Sequence, residues 1–292
     1  LTDSTDNSNR GAAEGINAMM PMLAILVVFG SFMFFDLEQA ASWVTIFTII
    51  GAVVILIGIA GFWLIKEPSV TPSPAGSYWG SILYGFKPSV VRQHRVLYLT
   101  LLAFAGFGIS IQIFMPYLIL YYEKSLGMAN YVLVMAPAIV LAAAFTAFYG
   151  RRYDTHGFRS SILPGIALLL LGYLILYFTR GTLPVFFGSL CMMMGYLSST
   201  AIFGAMMRTY TPPEQVGLFQ GLRIVAQVLV PGVIGPSIGA AVLKNAELVV
   251  NGDGTTSFLP NANIWLAAFA AGLVLCVLLA VLFARLKKEQ QN

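Results

Sequence analysis

Long apolar stretches separated by short polar punctuation dominate this chain. Eight of them reach the roughly 20 residues that a helix needs to cross a hydrocarbon core: Ile16–Phe35, Trp43–Leu64, Val96–Tyr121, Tyr131–Tyr149, Ile162–Phe178, Leu183–Met207, Leu222–Leu243 and Ile264–Leu286. No period-2 alternation interrupts them. In lipid a backbone must bond to itself, so runs of this length are expected to be helices and the fold class to be an all-α polytopic membrane protein. Between Val249 and Thr256 the order Val-Val-Asn-Gly-Asp-Gly-Thr-Thr predicts a hairpin turn instead. Asp253 is the one carboxylate in that turn, too few for a calcium loop.

Composition agrees with lipid as the main solvent. Apolar residues make up 58% of the 292 and charged residues 10%, against about 25% charged in a soluble domain. The formal charge of +4 does not point to nucleic acid, because the basic residues are scattered among apolar spans rather than gathered on one face. Their distribution is informative in another way. With eight spans both termini share a side, and all of the 16 Lys and Arg except Lys124, Arg180 and Lys244 fall on it. Positive residues stay inside, so both termini are expected to be cytoplasmic. Cys191 and Cys276 sit in apolar runs as small hydrophobes. The chain starts at Leu1 with a polar segment and without the pattern of a signal peptide, which suggests an incomplete beginning.

Three connections carry more than punctuation. The longest, residues 66–95, follows a Pro- and Ser-rich stretch with Tyr78, Trp79, Ile82, Leu83 and Phe86, a spacing that predicts a short interfacial helix beside Lys87, Arg92 and Arg95. It divides the chain into residues 1–65 with two spans and residues 96–292 with six. A second feature is a repeat. Thr5 to Gly15 and Thr211 to Gly221 both read T-x-x-x-x-x-G-x-x-x-G, 206 positions apart, and each feeds a span from the inner side. The shift sets Asn17 opposite Arg223.

The third is the ten-residue loop between the fourth and fifth spans, with Gly150, Arg151, Arg152, Asp154, Gly157 and Arg159. Its spacing, G-x-x-x-D-x-x-G-x-R, resembles the loop signature of the major facilitator superfamily of secondary transporters. With the long central loop, the six-span run after it and the repeated entries at Arg10-Gly11 and Pro213-Glu214, the chain resembles helices 5–12 of a twelve-helix transporter of that superfamily. Its texture is most similar to the glycoside–pentoside–hexuronide:cation symporter branch, the melibiose permease-like transporters. The resemblance implies that the first four helices, which in that branch carry the cation-binding acids, are absent. It also implies a cell-membrane protein that is monomeric when complete. Such a protein takes a small solute and Na+ or H+ as partners, with neither cofactor nor enzymatic activity.

The resemblance assigns the six residues of the loop to a cytoplasmic gate. Asp154 can accept hydrogen bonds from the N-terminus of a neighbouring helix or pair with Arg151, Arg152 or Arg159, contacts that exist in one gate state only. Gly157 permits a tight reversal. The resemblance also makes Val96–Tyr121 and Leu183–Met207 the cavity-lining helices. Gln112, Tyr117 and Tyr121 on the first, with Pro116 able to break it, and Tyr196 and Ser199 on the second are the polar groups suited to a sugar. Arg223, with Gln227 one turn on, joins them, either as a snorkelling cation or as a ligand group. Asp and Glu are expected to be missing from the depth of all eight spans, with Glu14 lying just before the first. Two other outcomes suit the same chain: an exporter of amphipathic drugs, with Met192, Met193, Met194 and Phe203 lining its cavity, or a membrane scaffold that moves nothing.

Overall fold

The computed structural model describes residues 10–32, 35, 40–64, 84–128, 130–212, 215–250 and 256–289. Its helices are α1 (Arg10–Phe32), α2 (Ala40–Leu64), the short α3 (Pro88–Gln93), α4 (Arg95–Phe114), α5 (Val132–Phe178), α6 (Thr182–Tyr210), α7 (Val216–Ile224), α8 (Val230–Leu243) and α9 (Asn263–Glu289). Past Phe114, α4 continues through a 3-10 turn at Met115–Tyr117 and a π turn at Tyr121–Ser125. Pro116 lies in that 3-10 turn, where its missing N–H removes an α-helical hydrogen bond. Six helical segments among the described residues are long and apolar enough to cross a membrane. Strands β1 (Leu248–Val250) and β2 (Thr256–Phe258) pair antiparallel with Val249 opposite Ser257, which supplies the expected hairpin. Of the expected interfacial helix, residues 77–83 lie outside the described part, and Tyr84–Phe86 form a 3-10 turn before α3.

The connection at residues 150–159 does reverse the chain, but at one residue rather than over a ten-residue loop. Helix runs up to Gly157 and resumes after it, and within α5 this glycine alone departs from helical geometry, at φ 73° and ψ −179°. That region is open essentially to glycine alone. Around it Tyr149 donates its hydroxyl proton to the Ser161 carbonyl at 2.8 Å. In a continuous helix those residues would stand about 18 Å apart, so α5 is two arms folded at one glycine. Gly157→Ala is expected to cost about 1–3 kcal/mol, although a methyl group there would meet nothing within 4 Å. A thermal melt of the purified variant measures it.

Small residues let the helices approach, as they do where no hydrophobic gain separates helix from lipid. The second arm of α5 packs on α6, where a Cβ at Gly195 would lie 2.3 Å from Leu169 N and one at Gly172 would lie 2.5 Å from Met192 N. Along α4 and α8, Gly235 meets Gln112 and Gly239 meets Tyr117. Two aromatic groups fill the interior. Phe104, Phe107 and Phe203 form one, with Tyr196 stacked on Phe107 at 6.1 Å. Phe114, Tyr173, Trp265 and Tyr121 form the other.

Candidate functional site

The first turns of α1 are clasped by α5 on one side and α6 on the other, and the residues that make the clasp possible are small. Gly15 lies against Thr146 O and Gly150 Cα of the first α5 arm, close enough that a Cβ would sit 2.9 Å and 3.4 Å from them. With the backbones this near, Ala12 N donates to Asp154 Oδ2 at 3.1 Å. Asp154 thus places a carboxylate on the exposed N–H groups at the start of α1, where the helix dipole favours a negative charge.

Two residues further on, about half a turn of helix, Glu14 points the other way. It is 3% exposed and forms an ion pair with Arg208 of α6, itself 9% exposed. Asn17 Nδ2 donates to Glu14 Oε2 at 3.2 Å. Gly204, one turn before Arg208, makes the room, since a Cβ there would lie 2.9 Å from the Glu14 carboxyl. Glu14 stands just before Ile16, where the sequence put it, but it is buried rather than flanking. Helix α1 begins at Arg10, six residues before Ile16, and takes Glu14 into its packed face. The sequence held one clue: Glu14 falls inside the G-x-x-x-G of the repeat, at the place that Gln220 occupies in the second copy.

Arg223 lies within electrostatic reach of both Glu14 and Arg208 and donates from Nε to Gln227 Oε1 at 3.2 Å. Arg208, Gln220 and Arg223 line a crevice of about 30 Å3 with Leu97, Leu101 and Phe219, room for little more than a water molecule. Between Arg223 and α8 the helix widens into a π turn, Val225–Leu229. Pro231 cannot donate to the Gln227 carbonyl, so the α-helical ladder is broken at that point. The interruption thus falls one turn before Pro231, and Gly235 serves close packing against Gln112.

The predicted site residues separate into groups. Arg223, Gln227, Gly235 and Gly239 follow one another along the α7–α8 stripe that faces α4, where Gln112 and Tyr117 lie. Tyr196 is on α6 across Phe107. Ser199 is buried against α5, with its Oγ 2.6 Å from where a Gly165 Cβ would be. Tyr121, 1% exposed, packs beside Trp265 at the far end of α4. In the 150s, Arg151 is exposed, Arg152 donates to Ser160 O at 3.4 Å, and Arg159 lies over the Phe283 ring of α9 at 5.5 Å.

Apolar helices crossing at glycines, with paired charges buried at one end of the bundle, define a multi-pass membrane protein held together by a polar clasp. The family model of the Major Facilitator Superfamily matches residues 1–196 and again residues 132–291. The chain belongs to this superfamily, and it is a secondary transporter from a family that is generally non-enzymatic. No curated protein matches it in sequence.

Asp154→Asn is expected to keep the protein in the membrane and lower its transport rate. The lost charge at the helix terminus is worth about 1 kcal/mol, enough to move a two-state population roughly fivefold. Solute uptake normalised to the amount of inserted protein measures it, and an unchanged rate would show that transport does not depend on the Asp154 charge.

Proposed function

We propose that this transporter carries a small hydroxylated solute, a sugar or glycoside, together with a coupling cation, by rocking two helical bundles about a site near mid-membrane. Eight crossings, with α5 counted as two and both ends of the chain cytoplasmic, complete the picture. The Glu14–Arg208 pair and the Asp154–α1 contact act as the cytoplasmic gate. Both bridge α1 to the six-span part of the chain, and contacts of that kind can hold one state and break in the other.

One observation carries the choice of solute. Three of the four groups that would suit an amphipathic drug are used up in packing: Met192, Met193 and Phe203 are at most 2% exposed, with Phe203 stacked on Phe104, whereas Met194 is half-buried. The polar groups Gln112, Tyr117, Arg223 and Gln227 remain half-buried along the α4–α8 seam, available to hydroxyls. Arg223 is the anchor of this reading. Arg223→Ala is expected to weaken sugar binding roughly 10- to 100-fold, the worth of a charged hydrogen bond, and Arg223→Lys to recover part of it. Equilibrium binding of a labelled sugar to the purified protein tests this, and unaltered affinity in both variants would end the ligand role of Arg223.

A further inference from the structure

At the other end of α4 the helix opens into the π turn Tyr121–Ser125, and a second cavity forms there. Leu97, near the start of α4, lines the crevice at Arg208, whereas Tyr121 lines this cavity. The two positions are roughly 36 Å apart at 1.5 Å per residue. The cavity measures about 420 Å3, within the range of about 300–1,000 Å3 typical of small-molecule sites. The segments at the base of the hairpin, 245–247 and 259–262, form part of its wall, tied by the Leu259 N–H to Glu247 carbonyl bond at 2.7 Å and by the Ser125 hydroxyl on the Pro260 carbonyl. π turns of this kind occur often at functional sites.

The lining is polar and leans positive. Two cations, Lys124 and Arg180, line it with one acid, Glu247, and two amides, Asn245 and Asn261. Lys124 is half exposed and 3.2 Å from Glu123, and Arg180 uses Nη1 on the last carbonyls of α5, including Tyr177 O at 2.9 Å. At the floor is the Tyr121 hydroxyl. It is buried beside the Trp265 indole N–H, which can only donate, so the phenol's own proton is left without an acceptor among the described residues. A buried phenol whose proton has no acceptor, at the floor of a cavity lined by two cations, is costly unless something else accepts it.

We propose that this cavity is a ligand site distinct from the one at Arg223 and Gln227, and that it takes a small organic anion rich in hydroxyls, such as a sugar acid. The carboxylate sits between Lys124 and Arg180, and a hydroxyl reaches Tyr121 and the amides. The site does not depend on which solute is carried. Titration calorimetry of the purified protein with gluconate, and with neutral glucitol as its uncharged counterpart, tests it. Saturable binding of gluconate without glucitol binding is expected. Lys124→Gln and Arg180→Gln should each weaken it roughly tenfold, as loss of one charge-assisted hydrogen bond does, and Tyr121→Phe severalfold. Arg223→Ala should leave it unchanged. Because Arg180 also caps α5, the exposed Lys124→Gln decides the matter if Arg180→Gln elutes as aggregate. No saturable gluconate binding, equal binding of glucitol, wild-type affinity in Lys124→Gln, or an equal loss in Arg223→Ala would each overturn the site.

Discussion

Glu14→Ala is expected to unfold the clasp and stop transport, the largest effect of any single change at the gate. It leaves Arg208 buried at 9% exposure without its counter-ion, and stranding one member of a buried pair costs about 3–5 kcal/mol. A second charge, Arg223, lies close enough to add repulsion once the carboxylate is gone. Replacing both partners by an apolar side chain of similar length, Glu14→Met with Arg208→Met, removes the desolvation problem and should recover most of the thermal stability. It should not recover transport, because no two-state contact is left. Melting of the detergent-solubilised protein and uptake into vesicles separate the two quantities. If Glu14→Ala melts like the unaltered protein, or if the double variant transports normally, the pair is not a gate.

Gly195→Val should be nearly as damaging for a different reason. Its Cβ would stand 2.3 Å from Leu169 N and 2.7 Å from Gly165 O, both backbone atoms of the second α5 arm. Backbone cannot turn aside as the end of a side chain can, so α5 and α6 would have to part along their seam. Overpacking of this kind costs about 3 kcal/mol or more, and Gly195→Val is expected to leave little monodisperse protein on size-exclusion chromatography. Gly58 in α2 has nothing within 4 Å of its Cβ position, and Gly58→Ala should stay within about 0.5 kcal/mol of the parent. Similar elution yields for the two variants would contradict the close crossing.

Much of this was legible in the order of residues. The apolar runs locate the helical segments, because hydrocarbon length and an unpaired backbone leave few alternatives. The acid at 154 suggested a helix terminus as its partner, and that hydrogen bond is present at Ala12. Gly157 suggested a reversal, and it is the one residue of α5 outside helical geometry. What escaped was tertiary in origin. Glu14 looked like a flanking acid because hydropathy finds where a helix meets lipid, whereas α1 extends further on contacts with α5 and α6. Arg208 was counted as an inside-facing positive charge, since nothing in a linear pattern reveals a partner 194 positions away. Ser199 and Tyr121 have the right chemistry for a sugar, but helix periodicity does not say which neighbour fills each face. Residues 65–83 and 251–255, with the rest of the predicted interfacial helix and the tip of the hairpin, lie outside the described part.

We propose cation-driven movement of a sugar by alternating access. Its most direct test is uptake of labelled sugars into proteoliposomes containing the protein, with an imposed inward Na+ or H+ gradient. Accumulation above the external concentration, abolished when an ionophore collapses the gradient and absent with Glu14→Met/Arg208→Met, is the predicted result. Folded, correctly inserted protein that accumulates none of a broad sugar panel under either gradient would contradict it.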